Sequence, residues 1–415
     1  MKIAFFTDTY YPQLNGVTVS IENFTKELTK QGHEVYIFAP KIAGYKDTNP
    51  NVFRLRSFKV LNSEPEARAP LPTPGKSLAA IFRLDFDLVH AHGNGAFSFL
   101  GYQVARLKGV PYILTFHTIH SKYTHYIFNG KLVKPNMVQG GMRVFGNLCD
   151  GVVTPSFKMK KELIKYGVKK NIEVVPNFID HSRFLDVEKG YLREKLGLAK
   201  DDQILLSVGR LGKEKNFDFL IKVLQKYKKI NPKAHLVLVG QGFEQENLEK
   251  LAFELKIANN VHFVGSVPTS DMPRVYADGD VFVFASDTET QGMCVLEAAS
   301  SSLPLVVVDD EAFNGMVSNG ENGFALTLKE KDFVAKIDLI LKDEKLAKEL
   351  GQKSRQIAEA NFKTTTITHS LVSFYKKTIT KYKKNKPIFS RIVDKIAFAK
   401  FLRLTGKINK IFISS

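Results

Sequence analysis

The sequence has 415 residues, 44% of them hydrophobic, and carries a formal net charge of +18. This length predicts two or three domains with sizeable cores, and the apolar content is typical of a globular protein. No run of about 18 apolar residues occurs, which excludes a spanning helix, and the first residues are typical of a strand rather than of a signal peptide. Cys149 and Cys294 are too few for a disulfide framework and lack the spacing of metal ligands, so we expect a cytoplasmic protein.

Short apolar strands alternate with helical stretches through the first half of the chain. The predicted elements are strands at 2–8, 34–40, 52–57, 87–92, 112–117 and 151–156, with helices at about 17–31 and 97–108. Such alternation predicts a parallel sheet with helices on both faces, and the nearly continuous apolar runs fit strands that are buried on both sides.

A second series of strands follows, which makes the whole fold α/β. Its apolar runs lie at 204–210, 235–242, 261–267, 280–286 and 304–310. We therefore expect two Rossmann-like, doubly wound domains, 1–176 and 177–375, whose strand ends face each other across a cleft.

The last 40 residues form a basic tail, 376–415. Twelve Lys or Arg and one acid give this tail a charge of +11, which leaves +7 for the rest of the chain. Pro387 interrupts the helical pattern, and 388–404 are predicted to form a basic, partly amphipathic helix. Such a tail predicts an anionic partner, either a membrane surface or nucleic acid.

The segment 280–302 carries the strongest functional signal. An apolar strand leads into a polar turn with Glu289, and Gly292 then opens a helix whose second turn carries Glu297. Loops beyond the carboxyl ends of strands, followed by a helix N-terminus, make ligand sites in open α/β sheets. Two carboxylates there can hold both ends of a polar ligand with an anionic middle, although among 42 acidic residues the spacing alone carries little weight.

Two other loops between a strand and a helix carry candidate phosphate-binding groups. Arg210 and Lys215 follow the strand at 204–208, and a guanidinium with an ammonium can clamp a diphosphate. A solvated basic loop is the alternative. Gly16 follows the first strand, where the lack of a Cβ lets backbone approach a phosphate, although an ordinary turn fits the same position.

Histidines end two of the predicted strands, and two acidic pairs begin others. His117 ends one strand, while His90 and His92 end another, which places imidazoles at the carboxyl edge of the sheet. The pairs Asp85/Asp87 and Asp278/Asp280 fall at amino ends of strands, the wrong edge for a metal site, so we interpret them as turns that enter a strand. No Gly-x-Gly-x-x-Gly fingerprint occurs, which disfavours a nicotinamide dehydrogenase.

Several of these strings together resemble a known enzyme family. GRLGKEKN, TFHT, and TETQG followed by VLEAASSSLPLVV resemble retaining glycosyltransferases of family 4, which have the GT-B fold. FTDTYYPQLNGV, TFHTIHSKYTHYI and TPSFKMKKEL resemble the branch that glycosylates diacylglycerol in bacteria. The likeness covers about residues 1–375, and it departs from the family pattern at VVPNFID and AASSSLP.

The resemblance implies a role for each candidate. Glu297 would hold the ribose, Arg210 and Lys215 the diphosphate beside Gly16, and Glu289 the hexose hydroxyls, while His117 orients the sugar. It implies a nucleotide-sugar donor such as UDP-glucose or UDP-galactose, no required metal or other cofactor, and a lipid acceptor such as diacylglycerol. The tail and 119–145 would then contact an anionic membrane at the inner face of the cell membrane.

Two alternatives remain open from the sequence. The same fold could act on another cell-envelope glycan or on a soluble acceptor. A basic nucleic-acid-binding protein is disfavoured, because the positive charge lies in a tail rather than on a nucleic-acid-binding motif.

Overall fold

The computed structural model describes residues 1–13, 15–59, 68–71, 75–118 and 135–385. The chain forms two compact units, one of Met1–Asn177 with residues 365–385, and one of Phe178–Thr364. The first boundary lies one residue from the predicted domain junction.

The first unit contains a seven-stranded parallel sheet flanked by helices. Its elements in chain order are β1 (Lys2–Thr7), α1 (Gly16–Lys30), β2 (Glu34–Pro40), β3 (Val52–Leu55), β4 (Ser57–Lys59), β5 (Arg68–Pro70), α2 (Lys76–Arg83), β6 (Leu88–His92), α3 (Ala96–Lys108), β7 (Tyr112–Thr115), α4 (Pro135–Leu148), β8 (Gly151–Thr154), α5 (Phe157–Lys165) and β9 (Ile172–Val174). The strand order is β3-β2-β1-β6-β7-β8-β9, and β4 and β5 form a separate antiparallel pair.

The second unit repeats this architecture with six parallel strands. Its elements are α6 (Tyr191–Leu196), β10 (Gln203–Val208), α7 (Phe217–Tyr227), β11 (Ala234–Val239), α8 (Gln245–Glu254), β12 (Val261–Gly265), α9 (Met272–Ala277), β13 (Val281–Phe284), α10 (Met293–Ser300), β14 (Leu305–Val308), β15 (Gly323–Leu326), α11 (Glu330–Lys342) and α12 (Glu344–Asn361). The strand order is β12-β11-β10-β13-β14-β15. Each unit is a doubly wound α/β domain, as the apolar runs predicted.

The strands are apolar because each sheet is covered on both faces. Ile3 and Phe5 of β1 lie on one face of the sheet and Phe6 lies on the other, and all three are fully buried. Successive residues of a strand point to opposite faces, so a strand that is buried on both sides requires a continuous apolar run. Burying large side chains on both faces is the main stabilising term for each sheet, at about 25 cal/mol per Å² of apolar surface.

The last described helix, α13 (Thr364–Asn385), corrects the predicted domain limits. It belongs to the first unit, so 365–375 do not belong to the second domain, and the predicted tail begins inside a packed helix. The Tyr375 hydroxyl lies 2.6 Å from His90 Nδ1, and the Phe374 ring fills the space that a Cβ on Gly151 would occupy. The surface that α13 covers was not predicted from the sequence.

Two of the aspartates that were predicted to enter strands do so in the structure. Asp87 and Asp280 directly precede β6 and β13, where their carboxylates accept hydrogen bonds from the amides of Lys2 and Ile204 at 2.8 and 2.7 Å. They therefore tie neighbouring strands together, as expected of residues that enter a strand.

In the part of the chain that the structure describes, no helix is long and apolar enough to cross a membrane. The predicted helix 388–404 lies outside the described residues.

Candidate active site

The strand order of each sheet identifies the point, at the carboxyl ends of two central strands, where ligands bind in doubly wound α/β folds. The chain winds outward in both directions from β1 and β6 in the first sheet, and from β10 and β13 in the second. At such a topological switch point, the loops beyond the carboxyl ends of the two central strands diverge and leave a crevice. The loops that flank these points carry most of the predicted site residues.

In the second unit, an ion pair joins the two loops at the switch point. Lys215 Nζ, from the loop after β10, donates to Glu289 Oε1, from the loop after β13. Each side chain is only 14% exposed, and the ammonium lies 5.8 Å from the centre of the Phe284 ring. Asn216 Nδ2 also donates to the Ala285 carbonyl at 2.9 Å, which fixes the two loops against each other. Two of the predicted site residues thus lie in direct contact.

Arg210 is oriented by a buried carboxylate. Its Nη2 donates to Glu214 Oε1 at 2.9 Å, and the guanidinium itself is partly exposed. The Glu214 carbonyl in turn accepts a hydrogen bond from Ser286 Oγ at 3.2 Å. Arg210 and Lys215 are therefore both held by carboxylates, which argues against the alternative of a freely solvated basic loop.

The loop with Arg210 also lies directly against the loop after β11. Leu211 N donates to the Gln241 carbonyl at 3.0 Å. Gly240 has a φ of +139°, and a Cβ on it would lie 2.0 Å from the Gly209 carbonyl oxygen. Only glycine permits this approach of two backbones. This role of Gly240 in positioning the loop was not predicted from the sequence.

Gly292 opens α10 by a conformation that side chains rarely adopt. Its φ is +77°, and a Cβ would lie 2.5 Å from Phe313 Cε1. The N-cap residue, Gly292, has no side chain that could cap this helix. The first backbone amides and the helix dipole therefore remain suited to an anion beside the Lys215–Glu289 pair.

Glu297 lies in the second turn of α10 and is oriented by a tyrosine of α9. The Tyr276 hydroxyl donates to Glu297 Oε2 at 2.7 Å. Burial raises the pKa of Glu297, against the opposing effects of the Tyr276 hydrogen bond and the positive charge of Arg183. The carboxyl is thus fixed in direction and can still accept hydrogen bonds from a ligand. Tyr276 was missed, because nothing in its local sequence distinguishes it from a core tyrosine.

Gly16, the first residue of α1, faces open space in the first unit. A Cβ on it would meet no atom within 4 Å. The side chain of Asn15 caps the helix by accepting hydrogen bonds from the amides of Val17 and Thr18, both at 3.0 Å. Asn15 thus occupies two of the first amides of α1, while the space beside Gly16 stays open.

Three histidines lie together at the carboxyl ends of β6 and β7. His92 Nδ1 lies 3.1 Å from His117 Nε2, and the ring of His90 is 4.3 Å from that of His92. Burial lowers the pKa of His90 to about 3 and that of His117 to about 4, and it lowers the pKa of His92 well below its usual value. All three imidazoles are therefore neutral near pH 7.

Known proteins that are similar to this chain identify its family. A model described as "Glycosyltransferase Family 4" matches residues 14–183, and one described as "Glycosyl transferases group 1" matches 188–357. The alpha-monoglucosyldiacylglycerol synthase of Streptococcus pneumoniae is 32% identical over 376 residues, which cover 87% of this chain and 83% of that protein. The chain belongs to glycosyltransferase family 4. The family resemblance in the sequence is confirmed.

Further relatives agree with this family 4 assignment. The Acholeplasma laidlawii protein of the same name is 27% identical over 344 residues, which cover 80% of this chain and 86% of that one. Among solved structures, HepE of Anabaena in complex with UDP has a TM-score of 0.71 at 20% identity, covering 91% of this chain and all of that one. Sucrose-phosphate synthase of Thermosynechococcus elongatus has a TM-score of 0.73 at 18% identity, with 92% and 99% covered. The predicted GT-B fold is confirmed.

Among the described residues, no three or more His, Cys, Asp or Glu side chains are placed so that they could bind one metal ion together. Independence from metal and other cofactors stays a prediction.

Proposed function

We propose that this family 4 glycosyltransferase moves a hexose from UDP-glucose or UDP-galactose to a membrane lipid such as diacylglycerol, with retention at the anomeric carbon. The Lys215–Glu289 pair at the switch point carries this proposal, because it places a cation and a carboxylate side by side at the position where sugar nucleotides would bind. The named activity of the Streptococcus pneumoniae relative and the UDP-glucose complex of HepE support the choice of acceptor and donor.

The donor would lie along the loops of the second unit. Arg210, Lys215 and the N-terminus of α10 bind the diphosphate, Glu297 accepts hydrogen bonds from the ribose hydroxyls, and Glu289 accepts them from the hexose. When the diphosphate arrives, Lys215 exchanges its carboxylate partner for phosphate oxygens, and Glu289 turns to the sugar. The family resemblance assigns Gly16 to the diphosphate and His117 to the hexose, and we propose these roles for them.

The proposed chemical step needs no protein nucleophile. The acceptor hydroxyl oxygen attacks the anomeric carbon on the face that the diphosphate leaves. The bond from the anomeric carbon to the phosphate oxygen breaks, its electron pair stays on that oxygen, and the same oxygen takes the acceptor proton. Arg210 and Lys215 stabilise the charge on the leaving diphosphate, which we expect to be the largest protein contribution. Neutral His117 suits this step, because an imidazolium would oppose positive charge at the reacting carbon.

A lipid acceptor requires contact with the bilayer, and one helix of the first unit has a face suited to it. Phe157, Lys161 and Ile164 lie four and three residues apart on α5, and Phe157 and Ile164 are 63% and 55% exposed. Exposed apolar side chains interspersed with lysine bind anionic membranes, and each basic residue contributes roughly 1 kcal/mol. With the basic tail, this face supports a peripheral location on the inner face of the cell membrane.

A test of the activity offers UDP- and GDP-sugars with diacylglycerol vesicles and measures nucleotide release. We expect release with UDP-glucose or UDP-galactose that depends on diacylglycerol and is lost in Glu289→Ala. Release that is unaffected by diacylglycerol, but stimulated by a glycan acceptor, would favour the second candidate function. That candidate has support from a 28% identical Escherichia coli galactosyltransferase whose named acceptor is a GlcNAc-diphosphoundecaprenol.

A separate test addresses the membrane contact by co-sedimentation with vesicles that contain anionic lipid. Removing 383–415, or changing Phe157 and Ile164 together to serine, should lower the bound fraction. Phe253→Ser is the control, since Phe253 is also exposed, at 77%, but lies on α8 of the second unit. Unchanged binding of both altered proteins would contradict the membrane proposal. Binding to RNA but not to anionic vesicles would instead revive the nucleic-acid alternative.

A further inference from the structure

His92 has one ring nitrogen without a hydrogen-bond partner. The side chain is 2% exposed, and its Nε2 is a buried polar atom for which the described residues provide no donor or acceptor. Its other nitrogen, Nδ1, lies 3.1 Å from His117 Nε2. Two neutral imidazoles joined in this way must share one hydrogen, so the bond has only two possible directions.

The position of the His92 ring is fixed by its surroundings. The ring centre of Phe5 lies 4.6 Å away and that of His90 lies 4.3 Å away. His90 is itself held at both nitrogens, by the Tyr375 hydroxyl and by Thr115 Oγ1, each at 2.6 Å. Because α13 supplies Tyr375, the C-terminal part of the first unit supports this row of rings from behind.

The cost of burial decides the direction of the shared hydrogen bond. If His117 donated, His92 would carry its hydrogen on Nε2, and a buried N–H group would have no acceptor. If His92 donates from Nδ1, only a lone pair on Nε2 is left unpaired. Unpaired buried donors are rarer in proteins than unpaired acceptors, which indicates a higher cost. His92 therefore donates, and neutral His117 carries its own hydrogen on Nδ1.

We propose that His92 is a positioning residue that fixes His117, which the family resemblance assigns to donor binding, as the Nδ1–H tautomer. That role of His117 rests on the function proposed above. His90, Thr115 and Tyr375 hold the His92 ring in the orientation that the hydrogen bond to His117 requires. His92 thus contacts no ligand itself, but the direction of its hydrogen bond determines which nitrogen of His117 carries the hydrogen.

The tautomer can be measured without substrate, by long-range ¹H–¹⁵N correlation spectra of the full-length protein. The signals of His117 are assigned by their loss in His117→Gln. We expect His117 to be protonated at Nδ1 in the wild-type protein.

Three variants test the role of His92. His92→Phe keeps an aromatic ring at this position but cannot donate a hydrogen bond, so His117 should become a mixture of tautomers, and kcat should fall at least tenfold. His92→Asn, whose amide can donate from a similar position, should restore most of both. His262→Phe, which removes one of two hydrogen-bonded histidines in the second unit, should change neither.

A wild-type His117 that is protonated at Nε2 would overturn the inference, and this result does not depend on any variant folding. So would an Nδ1–H signal that persists unchanged in folded His92→Phe. If the tautomer is as proposed but His117→Gln transfers hexose at the wild-type rate, the role of this tautomer in hexose transfer is refuted. Because the spectra require no donor or acceptor, failure of the proposed transferase function would leave the tautomer result readable.

Discussion

Lys215 and Glu289 form an ion pair across the two loops that flank the switch point of the second sheet. Both side chains are mostly buried, so each neutralises a charge that would be costly to leave unpaired. Two groups that the sequence assigned to different parts of the donor are thus each other's partners in the ligand-free protein. Removing either one leaves the other uncompensated as well as deleting a binding group.

Lys215→Ala and Glu289→Ala should each lower hexose transfer by orders of magnitude, because one loses charge stabilisation of the leaving diphosphate and the other loses the hydroxyl contact. Steady-state rates of nucleotide release measure the effect. Lys213→Ala is the matched control, since this exposed lysine lies in the same loop and should keep most of the activity. Near wild-type turnover in both altered enzymes would remove the basis for the assigned site.

Tyr276→Phe should weaken UDP binding by about three- to tenfold, which corresponds to roughly 1 kcal/mol for one hydrogen bond. The phenyl ring keeps the packing of α9, but Glu297 loses the hydroxyl that orients its carboxyl. Isothermal titration with UDP measures the affinity, and thermal unfolding checks that the fold is retained. An unchanged affinity would mean that Glu297 does not need this partner to bind the nucleotide.

Two glycine substitutions should separate stability from binding. Gly240→Ala would place a Cβ 2.0 Å from a backbone oxygen at a positive φ, so we expect a loss of more than about 2 kcal/mol in unfolding free energy. Gly16→Ala meets open space and should unfold at nearly the wild-type temperature, yet show a higher KM for the donor. Wild-type kinetics in Gly16→Ala would place the diphosphate elsewhere.

Because His90 is buried and neutral, the unfolding free energy of the protein should fall in mild acid. Burial lowers its pKa to about 3 in the folded protein, whereas an unfolded histidine has a pKa of about 6.5. As the pH falls from about 6.5 toward 3, the unfolded chain binds a proton that the folded chain excludes. The unfolding free energy therefore falls by about 1.4 kcal/mol per pH unit for this group. Urea unfolding of wild type and His90→Gln between pH 6.5 and 4.5 should show a shallower slope in the variant. Equal slopes would mean that His90 is charged in the fold.

The sequence predicted the features that depend on local order along the chain. Buried strands and the loops after them follow from apolar runs and spacing, so the sequence predicted the positions of Arg210, Lys215 and Glu289 in loops that follow strands, and that of Glu297 on the next helix. Contacts between distant segments were not predicted. Tyr276 and Phe313 approach α10 from elements that precede and follow it, and α13 packs on the first sheet although it follows the second unit. Such contacts depend on tertiary packing, which no local pattern encodes.

The measurement that tests the central claim most directly is analysis of the lipid product. The enzyme is incubated with isotopically labelled UDP-glucose or UDP-galactose and vesicles that contain diacylglycerol, and the extracted lipids are examined by mass spectrometry and by proton NMR of the anomeric signal. The account predicts a hexosyl diacylglycerol with the anomeric configuration of the donor, formed by wild type and absent with Glu289→Ala. Label that never enters the lipid fraction, or a product with inverted configuration, would contradict it.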